Sequence, residues 1–253
     1  MSINIKGISI GEGIPKVCVP VVETKDETII NQLKELDQLD LDLIELRIDY
    51  YENITDYNAL KNLFLNIAAL SLKKPIILTN RTLKEGGQIE VAEQDYFKIY
   101  QIALETNAFD IYDVELSAGT NMVIELRTLI HEANKYMLMS AHHFDRTPEI
   151  DSLMQKFKSM DSLEADIMKI AVMPEDQMDV LNLLSFTTQA KHEYPNKPIV
   201  TMSMSSLGLV SRLIGEQFGS AITFGCVGKT SAPGQIEYQD LKNILTKIHE
   251  QVA

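Results

Sequence analysis

The sequence contains no tryptophan and only two cysteines, and aromatic residues make up 7% of its 253 residues. Cys18 and Cys226 both lie within apolar segments, so we expect reduced structural thiols rather than a disulfide framework. No segment approaches the ~20 consecutive apolar residues of a membrane-spanning helix. Residues 1–15 lack the charged and apolar regions of an export signal. We therefore expect a cytoplasmic protein with no membrane partner.

Positive charge is also scarce. The chain has 23 Lys and Arg residues against 36 Asp and Glu residues, for a formal net charge of −13, and it has no block of basic residues. This composition argues against a nucleic-acid partner. An anionic small-molecule ligand would need a local cluster of cations. With 45% hydrophobic residues, we expect a single domain over residues 1–253 that buries one large core.

Eight short segments rich in β-branched and apolar residues alternate with longer segments of helical apolar spacing. The predicted strands are 16–22, 43–49, 75–81, 111–116, 136–142, 166–172, 198–204 and 221–227. Helix starts are predicted at residues 147–149 and 174–176, where a proline and acidic residues stand together. Strict alternation predicts parallel strands joined by crossovers, and eight units of this length predict an α/β fold, the (β/α)8 TIM barrel.

Two further features complete the predicted fold. Residues 1–15 resemble a small β-hairpin that could close the bottom of the barrel. An open, doubly wound sheet is the main alternative, but no glycine-rich phosphate-binding motif follows the first strand. We therefore favour the barrel.

A lysine, Lys169, stands in the apolar segment that predicts the sixth barrel strand. Burial of an ammonium is costly, and an amine in a medium of low dielectric becomes a neutral nucleophile. The alternative is a lysine whose stem is buried while its ammonium reaches water at the strand end. The neighbouring strands must decide between the two.

Other polar residues share the faces of predicted strands that point into the barrel. These are Glu45, Arg47 and Asp49 on the second strand, Arg81 on the third, Asp113 and Glu115 on the fourth, and Ser140 and His142 on the fifth. Ion pairs that stabilise the interior are a reasonable interpretation of Asp49 and Asp113. As a group, however, these residues lie near the C-terminal strand ends, where barrel enzymes have their active sites.

Two loops add candidates. Glu85 is followed by Gly86 and Gly87, which allow the backbone to approach a ligand closely. The loop of residues 228–235, which contains Ser231 and Gln235, offers a hydroxyl, an amide and backbone N–H groups to an anion. By spacing alone, Arg212 is predicted to be a solvated helix residue.

These motifs together resemble the type I 3-dehydroquinate dehydratases, Schiff-base β/α barrels of the shikimate pathway. The resemblance covers almost the whole chain and rests on the segments 45–49, 81–87, 140–148, 169–174, 211–215 and 231–235. It implies that Lys169 forms the imine, that His142 transfers protons and that Glu85 is its acidic partner. It also implies that Glu45, Arg47 and Arg81 bind ring hydroxyls, and that Arg212, Ser231 and Gln235 bind the carboxylate.

The resemblance implies a lyase that converts 3-dehydroquinate to 3-dehydroshikimate, a homodimer, and no metal or organic cofactor. His143 stands where the resemblance predicts Asp or Asn. Strand parity favours His142 as the base because His142 shares a face with Ser140.

Three alternatives stay open. A class I aldolase would share the barrel and the lysine, and a metal-dependent barrel would use Asp113, Glu115, His142 and His143 as ligands. A non-catalytic barrel could keep the pocket as a sensor, although such a protein would normally have lost the lysine or the histidine.

Overall fold

The computed structural model describes residues 2–228 and 231–252. Two short antiparallel strands come first, β1 (Ile3–Ile5) and β2 (Ile8–Ile10). The eight parallel strands are β3 (Lys16–Val21), β4 (Leu43–Arg47), β5 (Ile76–Thr79), β6 (Ile111–Glu115), β7 (Tyr136–His143), β8 (Ile167–Val172), β9 (Ile199–Ser203) and β10 (Ile222–Phe224). Their spatial order is β10, then β3 through β9 in sequence. The two ends of this order also meet, because the N–H of Ala221, just before β10, donates to Ile199 O of β9 at 2.7 Å. The sheet is therefore a nearly closed barrel. The predicted TIM barrel is confirmed.

The helices connect the strands on the outside of the barrel. They are α1 (Asp26–Gln38), α2 (Tyr57–Ala69), α3 (Glu93–Thr106), α4 (Thr120–Glu132), α5 (Ile150–Ser162), α6 (Gln177–Glu193), α7 (Val210–Leu213), α8 (Gly215–Phe218) and α9 (Tyr238–Val252). Single turns of 3-10 helix, Ile48–Tyr50, Leu83–Glu85 and Leu116–Ala118, follow β4, β5 and β6. Among the described residues, no helix is long and apolar enough to cross a membrane.

The two predicted helix starts differ from the structure by a few residues. Helix α5 begins at Ile150, after Glu149, because the Thr147 hydroxyl donates to Met173 O at 3.0 Å and does not cap the helix. Helix α6 begins at Gln177 and is capped by Asp176, whose side chain accepts from the backbone N–H of Met178 and Asp179.

Strand parity divides the apolar residues between two cores. The outward residues of β4, Ile44 and Leu46, pack with Leu33 of α1 and Leu60 of α2 in the larger core between sheet and helices. A second cluster fills the bottom of the barrel. It contains Leu43, Ile77, Ile111, Leu138 and Ile167 from the N-terminal parts of the strands, and Ile5 and Ile10 from the hairpin.

The hairpin therefore covers the bottom, as predicted. Ile10 is completely buried there, and burial of a side chain of this size contributes roughly 1.5–3 kcal/mol. Because the lower half of the barrel is filled with apolar side chains, charged side chains that point inward are confined to its C-terminal half.

Candidate active site

One cavity opens at the C-terminal ends of the strands, with about 460 Å³ of open space. All nine residues that the sequence proposes for the site line it. They are Glu45, Arg47, Arg81, Glu85, His142, Lys169, Arg212, Ser231 and Gln235. The remaining lining is mainly apolar and comes from Phe144, Ala171, Met202, Met204, Phe224 and Ala232. The cavity lining thus combines charged and apolar side chains, with Lys169 near the Phe224 ring and Arg212 next to Met202.

Lys169 lies inside the barrel and is 4% exposed, so the alternative of an ammonium that reaches bulk water is wrong. Its Nζ donates to Asp113 Oδ2 at 3.1 Å and lies 3.7 Å from Glu45 Oε1. It also lies 4.7 Å from the centroid of the Phe224 ring. The nearest charged neighbours of this amine are thus carboxylates.

Arg81 is the centre of the charged network. Its guanidinium donates to Asp113 Oδ2 at 2.7 Å, to Glu115 Oε1 at 2.9 Å and to Ser140 Oγ at 2.9 Å. Burial lowers the pKa of the guanidinium, but the neighbouring carboxylates outweigh burial and hold it well above its usual value. Arg81 is therefore a fixed cation whose donors are largely occupied by the protein.

Asp113 links Arg81 and Lys169. Burial raises the pKa of its carboxyl, but the Arg81 and Lys169 charges and the Ser140 hydroxyl outweigh burial and hold the pKa below its usual value. Asp113 is thus an anion between two cations. The interpretation of Asp113 as part of an ion pair is confirmed.

Arg47 is likewise paired. Its Nε and Nη2 each donate to the Asp49 carboxylate at 2.8 Å, and its guanidinium lies 5.2 Å from the centroid of the Tyr50 ring. On the same strand, Glu45 accepts from the Thr79 hydroxyl at 2.9 Å. The ion pair expected for Asp49 is present, and it fixes the Arg47 guanidinium at the cavity wall.

Glu85 and His142 form a pair next to Arg81, whose Nη1 lies 3.7 Å from Glu85 Oε2. Glu85 Oε2 lies 2.9 Å from His142 Nδ1 and accepts the His142 backbone N–H at 3.1 Å. Burial, followed by the charge of Glu115, raises the pKa of Glu85 to about 7. Burial and the Arg81 charge hold the pKa of His142 well below its usual value. A neutral imidazole with its proton on Nδ1 would donate to Glu85, which leaves Nε2 free to accept a proton.

His143 faces the other way. It is half-buried and does not line the cavity. Burial, followed by the charge of Lys156, lowers the pKa of His143. Strand parity therefore assigned the two histidines to the correct faces.

Arg212 is the cation that the sequence placed incorrectly by spacing alone. It is 1% exposed, not solvated, and one of its Nη atoms donates to Pro233 O at 3.1 Å. No carboxylate among the described residues lies within ion-pair distance of it, and its buried Nε has no partner there. Burial alone lowers the pKa of this guanidinium to about 10.

Ser231 and Gln235 lie beside Arg212 at the cavity mouth. The Ser231 N–H donates to Gln235 Oε1 at 2.8 Å, and Gln235 Nε2 donates to Ser231 Oγ at 3.1 Å. Residues 229 and 230 of this loop, which belong to the predicted anion site, lie outside the described residues.

The two glycines after Glu85 approach protein atoms. A Cβ at Gly86, where φ is +82°, would lie 2.4 Å from the Phe144 ring, and one at Gly87 would lie 1.9 Å from Arg81 O. At Gly87 the close neighbour is thus the backbone of the site itself, not a ligand. The glycines allow the Glu85 turn to fold tightly against Arg81.

The apolar residues of the cavity lining were not predicted from the sequence. Met202 and Phe224 carry no chemical signal that separates them from core residues. The only sequence signal for such residues is strand parity, by which alternate side chains of a strand point into the barrel. The same parity places Ala171 on the face of Lys169. The metal alternative loses its support, since no cluster of three or more His, Cys, Asp or Glu side chains in residues 2–228 and 231–252 could hold an ion.

Comparison with known proteins places the chain in a family. The family model described as type I 3-dehydroquinase matches residues 17–252. A 3-dehydroquinate dehydratase of Enterococcus faecalis is 43% identical over 250 residues, covering 98% of this chain and 97% of that protein. The enzyme of that name from Clostridium botulinum is 39% identical, covering 99% and 98%.

Solved structures agree. The type I 3-dehydroquinate dehydratase of Clostridium difficile, crystallised with covalently modified comenic acid, has a TM-score of 0.94 at 37% identity and covers 99% of this chain and 98% of its own. A 3-hexulose-6-phosphate synthase at 14% identity, with a TM-score of 0.57, shares only the fold. The chain therefore belongs to the type I 3-dehydroquinase family.

Proposed function

We propose that this protein dehydrates 3-dehydroquinate to 3-dehydroshikimate through an imine on Lys169. The observation that carries the proposal is a buried amine that shares one cavity with an imidazole–carboxyl pair and with a guanidinium for which the described residues supply no carboxylate partner. This combination supplies a nucleophile, an acid–base group and an anion site. Membership of the family supports the reaction itself.

The first step is attack by Lys169 on the substrate ketone. The ammonium must first lose a proton, and the Asp113 carboxylate at 3.1 Å is the nearest acceptor. The amine adds to the carbonyl carbon and one N–H proton passes to the oxygen, which gives a carbinolamine. The proton that Lys169 released then returns to the carbinolamine hydroxyl, which departs as water and leaves an iminium ion. The positive nitrogen then draws electrons from the adjacent C–H bond and makes its proton acidic.

The second step is proton transfer by His142. Its Nε2 takes the proton from carbon, and the electron pair of that C–H bond forms an enamine with the former iminium. When the enamine pushes out the β-hydroxyl group, the imidazolium returns the proton to the leaving oxygen, so water departs. Glu85 accepts a hydrogen bond from the His142 Nδ1–H throughout and so stabilises the imidazolium. Water then hydrolyses the product iminium and frees Lys169.

The substrate carboxylate would lie against Arg212, with Ser231 and Gln235 as further donors. A planar guanidinium suits a carboxylate because two parallel N–H groups can donate to its two oxygens. Glu45, Arg47 and Arg81 would contact the ring hydroxyl groups. This route uses no metal and no organic cofactor. The partner molecules that we propose for the protein are the substrate and, as the family resemblance implies, a second copy of the chain in a homodimer.

Borohydride reduction tests the proposal directly. We expect incubation with 3-dehydroquinate and borohydride to attach the reduced ligand to the peptide that contains Lys169, as shown by intact mass and peptide mapping. Without borohydride, the conjugated enone of 3-dehydroshikimate should accumulate. Lys169→Met keeps the stem and removes the amine, and it should abolish both labelling and turnover.

Other outcomes would contradict the proposal. Labelling at a different lysine, or full turnover by Lys169→Met, would reject the imine. A product of carbon–carbon cleavage would indicate an aldolase instead. Sedimentation velocity tests the homodimer separately, and a monomer at working concentration would reject it.

A further inference from the structure

Glu85 has two carboxylate oxygens with different partners. Oε2 faces the cavity and holds His142 at 2.9 Å. Oε1 faces away and accepts a short hydrogen bond from the Ser117 hydroxyl. Ser117 belongs to the 3-10 turn after β6, does not line the active-site cavity and is exposed. The carboxylate is thus held from behind by a residue that the substrate does not touch.

A second cavity lies behind this wall. Ser117 lines it together with Thr82, Tyr96, Glu115 and Met122. Solvent therefore reaches the Ser117 hydroxyl from the outside, even when a ligand fills the active-site cavity. The side chain of Ser117 thus lies between the Glu85 carboxyl and this second cavity.

We propose that Ser117 is a positioning residue, which holds Glu85 by Oε1 so that Oε2 stays aligned with the His142 imidazole. The inference rests on the proposed function because it assigns Glu85 the task of stabilising a transient imidazolium. Without the Ser117 hydrogen bond, the carboxyl group could rotate, and Oε1 would lie in a buried site with one partner fewer. Such a loss would affect proton transfer and leave substrate binding intact.

The charged groups around this pair come from several strands. Arg81, which follows β5, Asp113 and Glu115 of β6 and His142 of β7 lie around the Glu85 carboxyl. Burial aside, the charges that act on His142 are those of Arg81, Lys169, Arg47 and His143. Burial and Glu115 raise the pKa of Glu85 to about 7, whereas Arg81 and the Ser117 hydrogen bond lower it. Removal of the hydroxyl therefore raises the pKa of Glu85 further. More of the Glu85 carboxyl is then protonated near neutral pH, where a carboxylate is needed.

The test compares kcat and KM across pH for the wild type, Ser117→Ala and Ser117→Thr. For Ser117→Ala we expect kcat at pH 7 to fall about three- to tenfold, the loss typical of one hydrogen bond. KM should stay within about twofold, and the acid limb of the kcat profile should move to higher pH by about half to one pH unit. Ser117→Thr keeps the hydroxyl and should follow the wild type.

Three results would overturn the inference. These are a Ser117→Ala profile that superimposes on the wild type, a change confined to KM, and a Ser117→Thr variant that behaves like Ser117→Ala. Borohydride labelling of Lys169 keeps the two proposals apart. If the wild type is not labelled, the proposed function fails; if labelling is normal and the profiles coincide, only the role of Ser117 fails.

Discussion

We predict that Arg212 lowers the stability of the ligand-free protein and that it contributes to substrate binding. Its guanidinium is buried without a carboxylate partner among the described residues, and burial lowers its pKa from its usual value to about 10. A shift of this size corresponds to roughly 3 kcal/mol of unfavourable desolvation in the folded state. Arg212→Met keeps most of the stem and removes the charge.

The magnitude follows from three terms. The variant regains roughly 3 kcal/mol of desolvation and loses about 1 kcal/mol with the hydrogen bond to Pro233 O, so the free energy of unfolding should rise by about 2 kcal/mol. Loss of a charge-assisted contact to a carboxylate costs about 2–4 kcal/mol of binding, which corresponds to a roughly 30- to 1,000-fold increase in KM. Urea denaturation of the free protein and steady-state kinetics measure the two effects.

Arg47→Met is the matched control. It removes a guanidinium that donates twice to Asp49 and leaves that buried carboxylate without its cation, with the backbone N–H groups of Arg81 and Gln88 as remaining donors. We therefore expect a loss of about 3–5 kcal/mol of stability. The two variants should thus change stability in opposite directions. If Arg212→Met loses as much stability as Arg47→Met, or if its KM is unchanged, the reasoning about an unpaired cation is wrong.

Three further predictions concern protonation and support. Because the folded pKa of Glu85 is raised to about 7, its contribution to stability is complete below about pH 4.5 and is lost as pH rises through 7. Glu85→Gln should therefore be more stable than the wild type at pH 8 but not at pH 4. Urea titrations at the two pH values measure this, and a constant difference in stability would contradict it. In His142→Ala, borohydride should still label Lys169, while kcat falls about 10²- to 10⁴-fold. His143→Ala should keep most of its turnover. The reverse ranking would identify His143 as the base. The Tyr100 hydroxyl donates to Asp113 O, so Tyr100→Phe should cost about 1–3 kcal/mol of unfolding free energy, and equal stability in urea denaturation would reject this support.

Tyr112→Phe is the matched control for Tyr100→Phe. The Tyr112 hydroxyl is buried and has no hydrogen-bond partner among the described residues. Its removal should therefore be neutral or stabilising.

The sequence predicted the fold and much of the cavity wall because both follow from local periodicity. The side chains of a strand alternate between two faces, so Glu45 and Arg47 had to point the same way, and Ile44 and Leu46 had to point to the helices. The same parity separated His142 from His143. Eight alternations of strand and helix then closed the barrel around these faces.

What the sequence could not give is the pairing of charges between strands. Asp113 contacts both Arg81 and Lys169, and this depends on the stagger of three strands, which no local pattern encodes. The sequence therefore indicates four cations of the site, Arg47, Arg81, Arg212 and Lys169, without assigning an acid to each. In the structure, acids neutralise three of them.

Arg212 and Thr147 show the other limit. Arg212 lies in α7 and Thr147 in the loop before α5, and their partners are distant in sequence. Arg212 donates to Pro233 O, and Thr147 donates to Met173 O. A spacing rule that looks only at neighbouring residues predicts a solvated arginine and a helix cap at these positions. Tertiary contacts override both.

The distribution of charge also explains how an acidic barrel could select one anion. Arg47 and Arg81 already donate to carboxylates, so a ligand that competed for them would have to leave a buried acid unpaired. Arg212 has no such partner among the described residues, and a ligand carboxylate would relieve its desolvation. An analogue without that carboxylate would leave the guanidinium buried and unpaired, which costs more than the lost contact alone. Discrimination should therefore depend on the single carboxylate of the substrate.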